Sequence, residues 1–212
     1  MTAASFRLAG AGPELSSRER ALLSLVADVC TQTLGTPYAL HVRAALDNGL
    51  DADDLRELLR FVSYDSGYPA ALAALERLVE IEREYDLLGP TGPAHRLNTD
   101  GTGSPIPAAM RAEVHALDPS FADYMDLQSR MRADMSRISV RERAFATIAV
   151  DVLYQTLQES FRAPVGRALG TGATPDEVRA AVRATAPFGM TRTWRALDVL
   201  DTLLTEREAV RP

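Results

Sequence analysis

The sequence predicts an all-α fold, a helical bundle, and three observations carry that prediction. Apolar residues recur with helical spacing over most of the chain, as in Leu55, Leu58, Leu59 and Val62. Ser, Thr or Asp caps with an acid three residues further on stand just before such stretches. Alternation with a period of two is missing and β-branched residues are sparse, so no strand is expected.

The elements follow in order. Ser16-x-x-Glu19 is a capping box that opens a helix with Leu22, Leu23, Val26 and Val29 on its apolar side. Thr36-Pro37 reads as an N-cap followed by proline at the first helical position, and Asn48-Gly49 as the stop. Asp51-x-x-Asp54 opens a third helix. Gly67-Tyr68-Pro69 breaks the chain before a long helix from Ala70 to about Leu88. Asp118-Pro119 starts a further helix. Ser139-x-x-Glu142 and Thr174-Pro175-Asp176-Glu177 then repeat the earlier signals.

That recurrence is systematic. Ser16 to Ala21 returns 123 positions later as Ser139 to Ala144, and the register holds without a gap. Asp28-Val29 falls on Asp151-Val152, Gln32-Thr33-Leu34 on Gln155-Thr156-Leu157, and Gly49 on Gly172. After one deletion Gly67 meets Gly189. The period is too long for a solenoid, so the chain reads as two tandem copies of one small helical unit. The expected division is a first repeat over 1–88, a Gly/Pro-rich linker over 89–108 and a second repeat over 109–212. His95 falls in the linker and is expected to face solvent.

Composition removes several classes of chemistry. The 212 residues carry a net charge of −6, and all 23 basic residues are Arg. Without Lys there is no imine-forming amine and no P-loop lysine. One cysteine, Cys30, gives neither a disulfide nor a Cys-based zinc site, and no metal-ligand spacing is present. The acidic balance argues against nucleic acid as a partner. No apolar run approaches the roughly 18 residues that span a membrane, and the N-terminus lacks a signal-peptide core, so a cytoplasmic protein is expected.

The stretch His41-Val42-Arg43-Ala44-Ala45-Leu46-Asp47-Asn48-Gly49, followed by Tyr64-Asp65-Ser66-Gly67-Tyr68-Pro69-Ala70, closely resembles the carboxymuconolactone decarboxylase family of the AhpD-like superfamily. The resemblance covers about Leu15 to Leu78. It continues in weaker form from about Ala116 to Leu204, where Pro164 stands in place of His41. It implies an AhpD-like helical bundle of two tandem carboxymuconolactone-decarboxylase-like repeats, the second degenerate. The superfamily's peroxidase branch uses C-x-x-C-x-x-x-H; Leu34 and Pro37 occupy the two Cys places here, so alkylhydroperoxidase activity is disfavoured. The decarboxylase branch resembles E-x-x-x-H, and Pro37 replaces its Glu.

His41, at the family's functional position, is the expected catalytic acid or base, because imidazole exchanges a proton near neutral pH. Tyr64 is the second catalytic candidate, a phenol able to meet a substrate carbonyl. Gln32, Arg43 and Glu159 are the candidate substrate-binding residues; Glu159 lies one position before the place matching Pro37. The duplicated Arg20 and Arg143 are expected to pair between helices with Asp28 or Asp151. His115 reads as an ordinary helix residue.

The resulting expectation is a cofactor-independent lyase or isomerase that decarboxylates, enolises, or opens or closes the ring of a small carboxylated or lactone-type metabolite. The alternative is a non-catalytic binding or assembly protein that keeps the scaffold. No cofactor and no membrane or nucleic-acid partner is expected. The fused repeats imply a homotrimer reproducing a six-unit ring.

Overall fold

The computed structural model describes residues 13–92, 106–133 and 135–209, and within them the regular structure is entirely helical. Three of the expected capping boxes open the first repeat's α1 (Ser17–Thr31) and α3 (Ala52–Ser66) and the second repeat's α7 (Val140–Tyr154). In each, the cap side chain accepts from the N3 backbone N–H while the N3 carboxylate accepts from the cap's own N–H. Thr174 and Glu177 form a fourth box for α9 (Pro175–Arg183).

The other helices are α2 (Thr36–Asp47), α4 (Tyr68–Glu84), α5 (Ala108–Leu117), α6 (Pro119–Ala133), α8 (Glu159–Gly170) and α10 (Met190–Ala209), with a 3₁₀ turn at Ala186–Phe188. Two boundaries differ from expectation. Thr36 is already helical, and the cap of α2 is Gly35, with no side-chain bond. The long fourth helix starts at Tyr68 and stops at Glu84. Proline lacks an N–H and has helical φ already, so Pro37 and Pro69 both sit inside the first turn at no cost to the helix.

Residues 1–90 and 138–212 make up one compact unit, and Thr91–Arg137 makes up a second. Both expected repeats contribute to the first of these units. The reason lies in α1 and α7. Both are buried on almost every side, with Leu22, Val26 and Val29 of one and Ile148, Ala149 and Val152 of the other fully enclosed. A narrow stripe of each escapes burial, Ser17, Arg20, Ser24 and Thr31 on α1 and Arg143 and Thr147 on α7, so the other repeat as well as its own covers the rest.

α1 and α7 lie side by side and parallel. At their starts Arg18 Nε donates to Glu142 at 2.7 Å, and Arg141 Nε donates to Glu19 at 2.6 Å. At their ends Cys30 meets Tyr154, whose hydroxyl donates to the Ser66 carbonyl at 3.0 Å. Arg18 also reaches Asp54 at 3.0 Å, and Arg141 reaches Glu177 at 2.9 Å, so both arginines serve the same two roles in their own repeats. Equivalent Tyr38 and Phe161 fill the core; the burial of such a ring contributes roughly 1.5–3 kcal/mol.

The second unit holds α5 and α6. Asp118 caps α6 through the Phe121 N–H at 2.9 Å, and Arg111 of α5 pairs with Asp123 of α6 at 3.2 Å.

Candidate functional site

Gln32, the C-cap of α1, has φ +55°, and this left-handed turn folds the chain back on the helix it has just left. As a result the Thr33 N–H donates to the Asp28 carbonyl at 3.0 Å, and the Thr33 hydroxyl donates to Asp28 Oδ1 at 2.7 Å. The other carboxylate oxygen, Oδ2, lies 2.6 Å from His41 Nδ1 on α2. Asp28 is 0% exposed and His41 9%. A carboxylate so enclosed requires hydrogen-bonding partners, and Thr33 and His41 supply them. With Nδ1 donating to Asp28, the imidazole is fixed in orientation. Phe188, from the 3₁₀ turn of the second repeat, sits with its ring centroid 6.4 Å from that of His41, the planes tilted by 56°.

The same local structure recurs in the second repeat without its histidine. Gln155 has φ +61°, and the Thr156 hydroxyl donates to Asp151 Oδ1 at 2.6 Å. Pro164 takes the place of His41 within α8, and Asp151 Oδ2 is buried with no hydrogen-bond partner. Burial pushes the Asp151 carboxyl up to about 7, with Asp65 of the first repeat adding in the same direction and the Thr156 and Ser160 hydrogen bonds opposing. Two adjoining cavities, about 730 and 310 Å³, also belong to this repeat. Gln155, Thr156, Glu159, Ser160, Arg195 and Asp198 line the larger one.

The other residues singled out from the sequence are dispersed. Tyr64 is half-buried near the end of α3, where its neighbour in charge is Arg60 one turn earlier. Gln32 is a structural cap: its amide donates to the Val29 carbonyl at 2.7 Å and the Ala70 carbonyl at 3.3 Å, and Gln155 does the same with Val152 and Arg192. Arg43 is exposed and lies over the Tyr85 ring at 5.4 Å, which makes it a surface cation–π contact. Glu159 is exposed in the large cavity of the second repeat. His115 is exposed in the last turn of α5, and His95 lies outside the described residues.

The Arg20 guanidinium donates to the Leu15 carbonyl and to Ser17 Oγ, and Asp28 is engaged by Thr33 and His41. Asp28, Thr33 and Phe188 were not singled out as site residues from the sequence. The signal for the first two was available: an acid inside an apolar stripe, duplicated as Asp151, with a threonine five residues later in both copies. Among the described residues no group of three His, Cys, Asp or Glu side chains is placed to hold a metal ion, and no helix is long and apolar enough to cross a membrane.

Comparison with known proteins adds three findings. Residues 1–80 match the model of the Carboxymuconolactone decarboxylase family. No curated protein matches the chain. A solved structure from Burkholderia xenovorans LB400, carrying the name of a gamma-carboxymuconolactone decarboxylase subunit, is similar in fold. It has 20% sequence identity and a TM-score of 0.54, and the match covers 96% of this chain and 86% of that one.

Proposed function

We propose, on the match of residues 1–80 to the carboxymuconolactone decarboxylase family model, that the protein is a cofactor-independent lyase or isomerase acting on a small carboxylated or lactone-type metabolite. The observation that carries this reading is the 2.6 Å hydrogen bond between buried Asp28 and His41, at the family's histidine position. A histidine oriented by a buried carboxylate is an arrangement suited to general acid–base catalysis.

In a decarboxylation, the bond between the substrate carbon and its carboxylate breaks. CO2 leaves, and the electron pair remains as an enolate delocalised onto an adjacent carbonyl. His41 Nε2–H then protonates the carbon, and the imidazole regains its proton from water. Enolisation uses the same parts without loss of CO2: neutral Nε2 removes a proton from carbon and returns it elsewhere. Asp28 holds the ring for either step and stabilises the imidazolium. General acid–base assistance of this kind contributes on the order of 10²–10⁴-fold.

The test is turnover of lactone acids and β-keto acids, followed by CO2 release or absorbance. His41→Ala and Asp28→Asn are each expected to lower kcat by on the order of 10²-fold or more. Wild-type turnover by His41→Ala overturns the reading. A second reading, a binding protein, is favoured by the polar 730 Å³ cavity in the second repeat, which carries Glu159 but no histidine. Binding of a metabolite that survives His41→Ala and is lost with Arg195→Ala would support it.

A further inference from the structure

The two repeats part company at one place, and that place faces His41. In the first repeat α3 runs unbroken to Ser66 before Gly67 turns the chain. In the second, one residue is missing and proline occupies position 187. Pro187 has no N–H to donate, and its ring would strike the carbonyl four residues back, that of Arg183. Arg183 is where α9 ends. The chain then tightens into the 3₁₀ turn, with the Phe188 N–H on the Thr185 carbonyl at 2.9 Å and the Gly189 N–H on the Ala186 carbonyl at 3.2 Å.

The turn is anchored from beneath. Thr185 is buried, its hydroxyl bonded to the Val182 carbonyl at 2.7 Å and to Thr193 Oγ1 at 2.8 Å. Thr193 in turn reaches the Gly189 carbonyl at 3.2 Å. This clamp fixes Phe188 beside His41 while leaving the ring itself half-exposed. A fully packed core ring would be enclosed on both faces. Phe188 has one side toward the buried imidazole and another accessible from outside.

We propose that Phe188 is a specificity-determining wall of the His41 site, lent by the second repeat, and that it selects ligands with a flat, unsaturated body next to the carboxyl or carbonyl group. The inference rests on the reading of His41 as the group that exchanges the proton. The degenerate repeat is therefore retained for what it contributes to the site of the other. A flat face against the phenyl ring buries apolar area that a compact aliphatic acid lacks, and an offset or tilted ring contact adds to it.

The experiment does not depend on turnover. Diethyl pyrocarbonate modifies the accessible nitrogen of histidine, and mass spectrometry reads His41 and exposed His115 separately in one sample of the full chain. Phe188→Ala is expected to speed modification of His41 at least fivefold with His115 unchanged. Phe188→Leu, which keeps most of the volume, gives a smaller increase, and Phe188→Trp restores or exceeds protection. Benzoate, used as a flat carboxylate probe, is expected to slow His41 modification at concentrations where acetate does not, and to lose at least threefold of that effect in Phe188→Ala. Equal His41 rates in wild type, Phe188→Ala and Phe188→Leu overturn the wall. Benzoate no better than acetate overturns the ligand class. Neither result bears on His41→Ala turnover, so the failure of this inference and of the catalytic reading are separate outcomes.

Discussion

Replacing Asp151 by Asn is expected to stabilise the protein at neutral pH, although it removes a buried acid held by a threonine. Asp151 is 5% exposed. Only one of its oxygens is satisfied, by Thr156 at 2.6 Å, and the other has no partner. Burial, with Asp65 adding to it, raises the carboxyl from 3.8 to about 7. The folded chain therefore binds this proton more tightly than the unfolded chain does. Below about pH 4 both states are protonated and the group has no effect. Between about 4 and 7 the unfolded chain has lost the proton and the folded chain still keeps it. Stability then falls with rising pH by about 1.4 kcal/mol per pH unit. Above about 7 both are ionised, and the accumulated loss is on the order of 4 kcal/mol.

An amide of the same shape carries no charge at any pH and can still accept from Thr156. Urea denaturation of wild type and Asp151→Asn between pH 5 and 8 tests the argument, with the difference between the two proteins as the readout. Contributions from groups that the substitution does not touch cancel in that difference. The carboxylates held low, Glu142 by Ser139 with Arg18 and Glu177 by Arg141, titrate below this range and leave the window clear. The variant is expected about 1.5 kcal/mol above wild type at pH 5 and about 4 kcal/mol above it at pH 8. Parallel stability curves across that range would refute the reasoning, because they would mean that Asp151 titrates alike in both states.

Two further outcomes follow from the seam between the repeats. Burial pushes the Cys30 thiol up to about 12, against a Tyr154 hydrogen bond that lowers it, so its labelling by iodoacetamide at pH 8 is expected to be at least tenfold slower than in unfolded chain; equal rates would contradict it. Arg141 bridges Glu19 of the first repeat and Glu177 of its own, and a double-mutant cycle of Arg141→Met with Glu19→Gln is expected to give a coupling of about 0.5–3 kcal/mol in urea unfolding, with zero coupling refuting a contribution to the joint.

What the sequence made legible was whatever is encoded locally. Ser16 with Glu19, Ser139 with Glu142 and Thr174 with Glu177 specify helix starts within four residues, and each forms the reciprocal box it predicts. Gly49 and Gly172 mark turns that need positive φ, and both have it. His41 was visible through its motif. Its partner was not, because Asp28 is thirteen residues away on another helix and the two meet only once Gln32 reverses the chain. Gln32 and its counterpart Gln155 both form left-handed caps whose amides return to their own helices. The shared core was hidden for a related reason. Arg18, Glu19, Arg141 and Glu142 look like ordinary helix-start charges, and nothing in one repeat says that its arginine crosses to the other repeat's glutamate. Once α1 and α7 are known to be buried on nearly all sides, the crossing follows: a helix with so narrow a polar stripe needs a second partner, and each of the two helices covers the other. The first repeat keeps the histidine, and the second spends its one deletion and Pro187 on a turn that the first repeat does not have, placing Phe188 against the site it no longer carries itself.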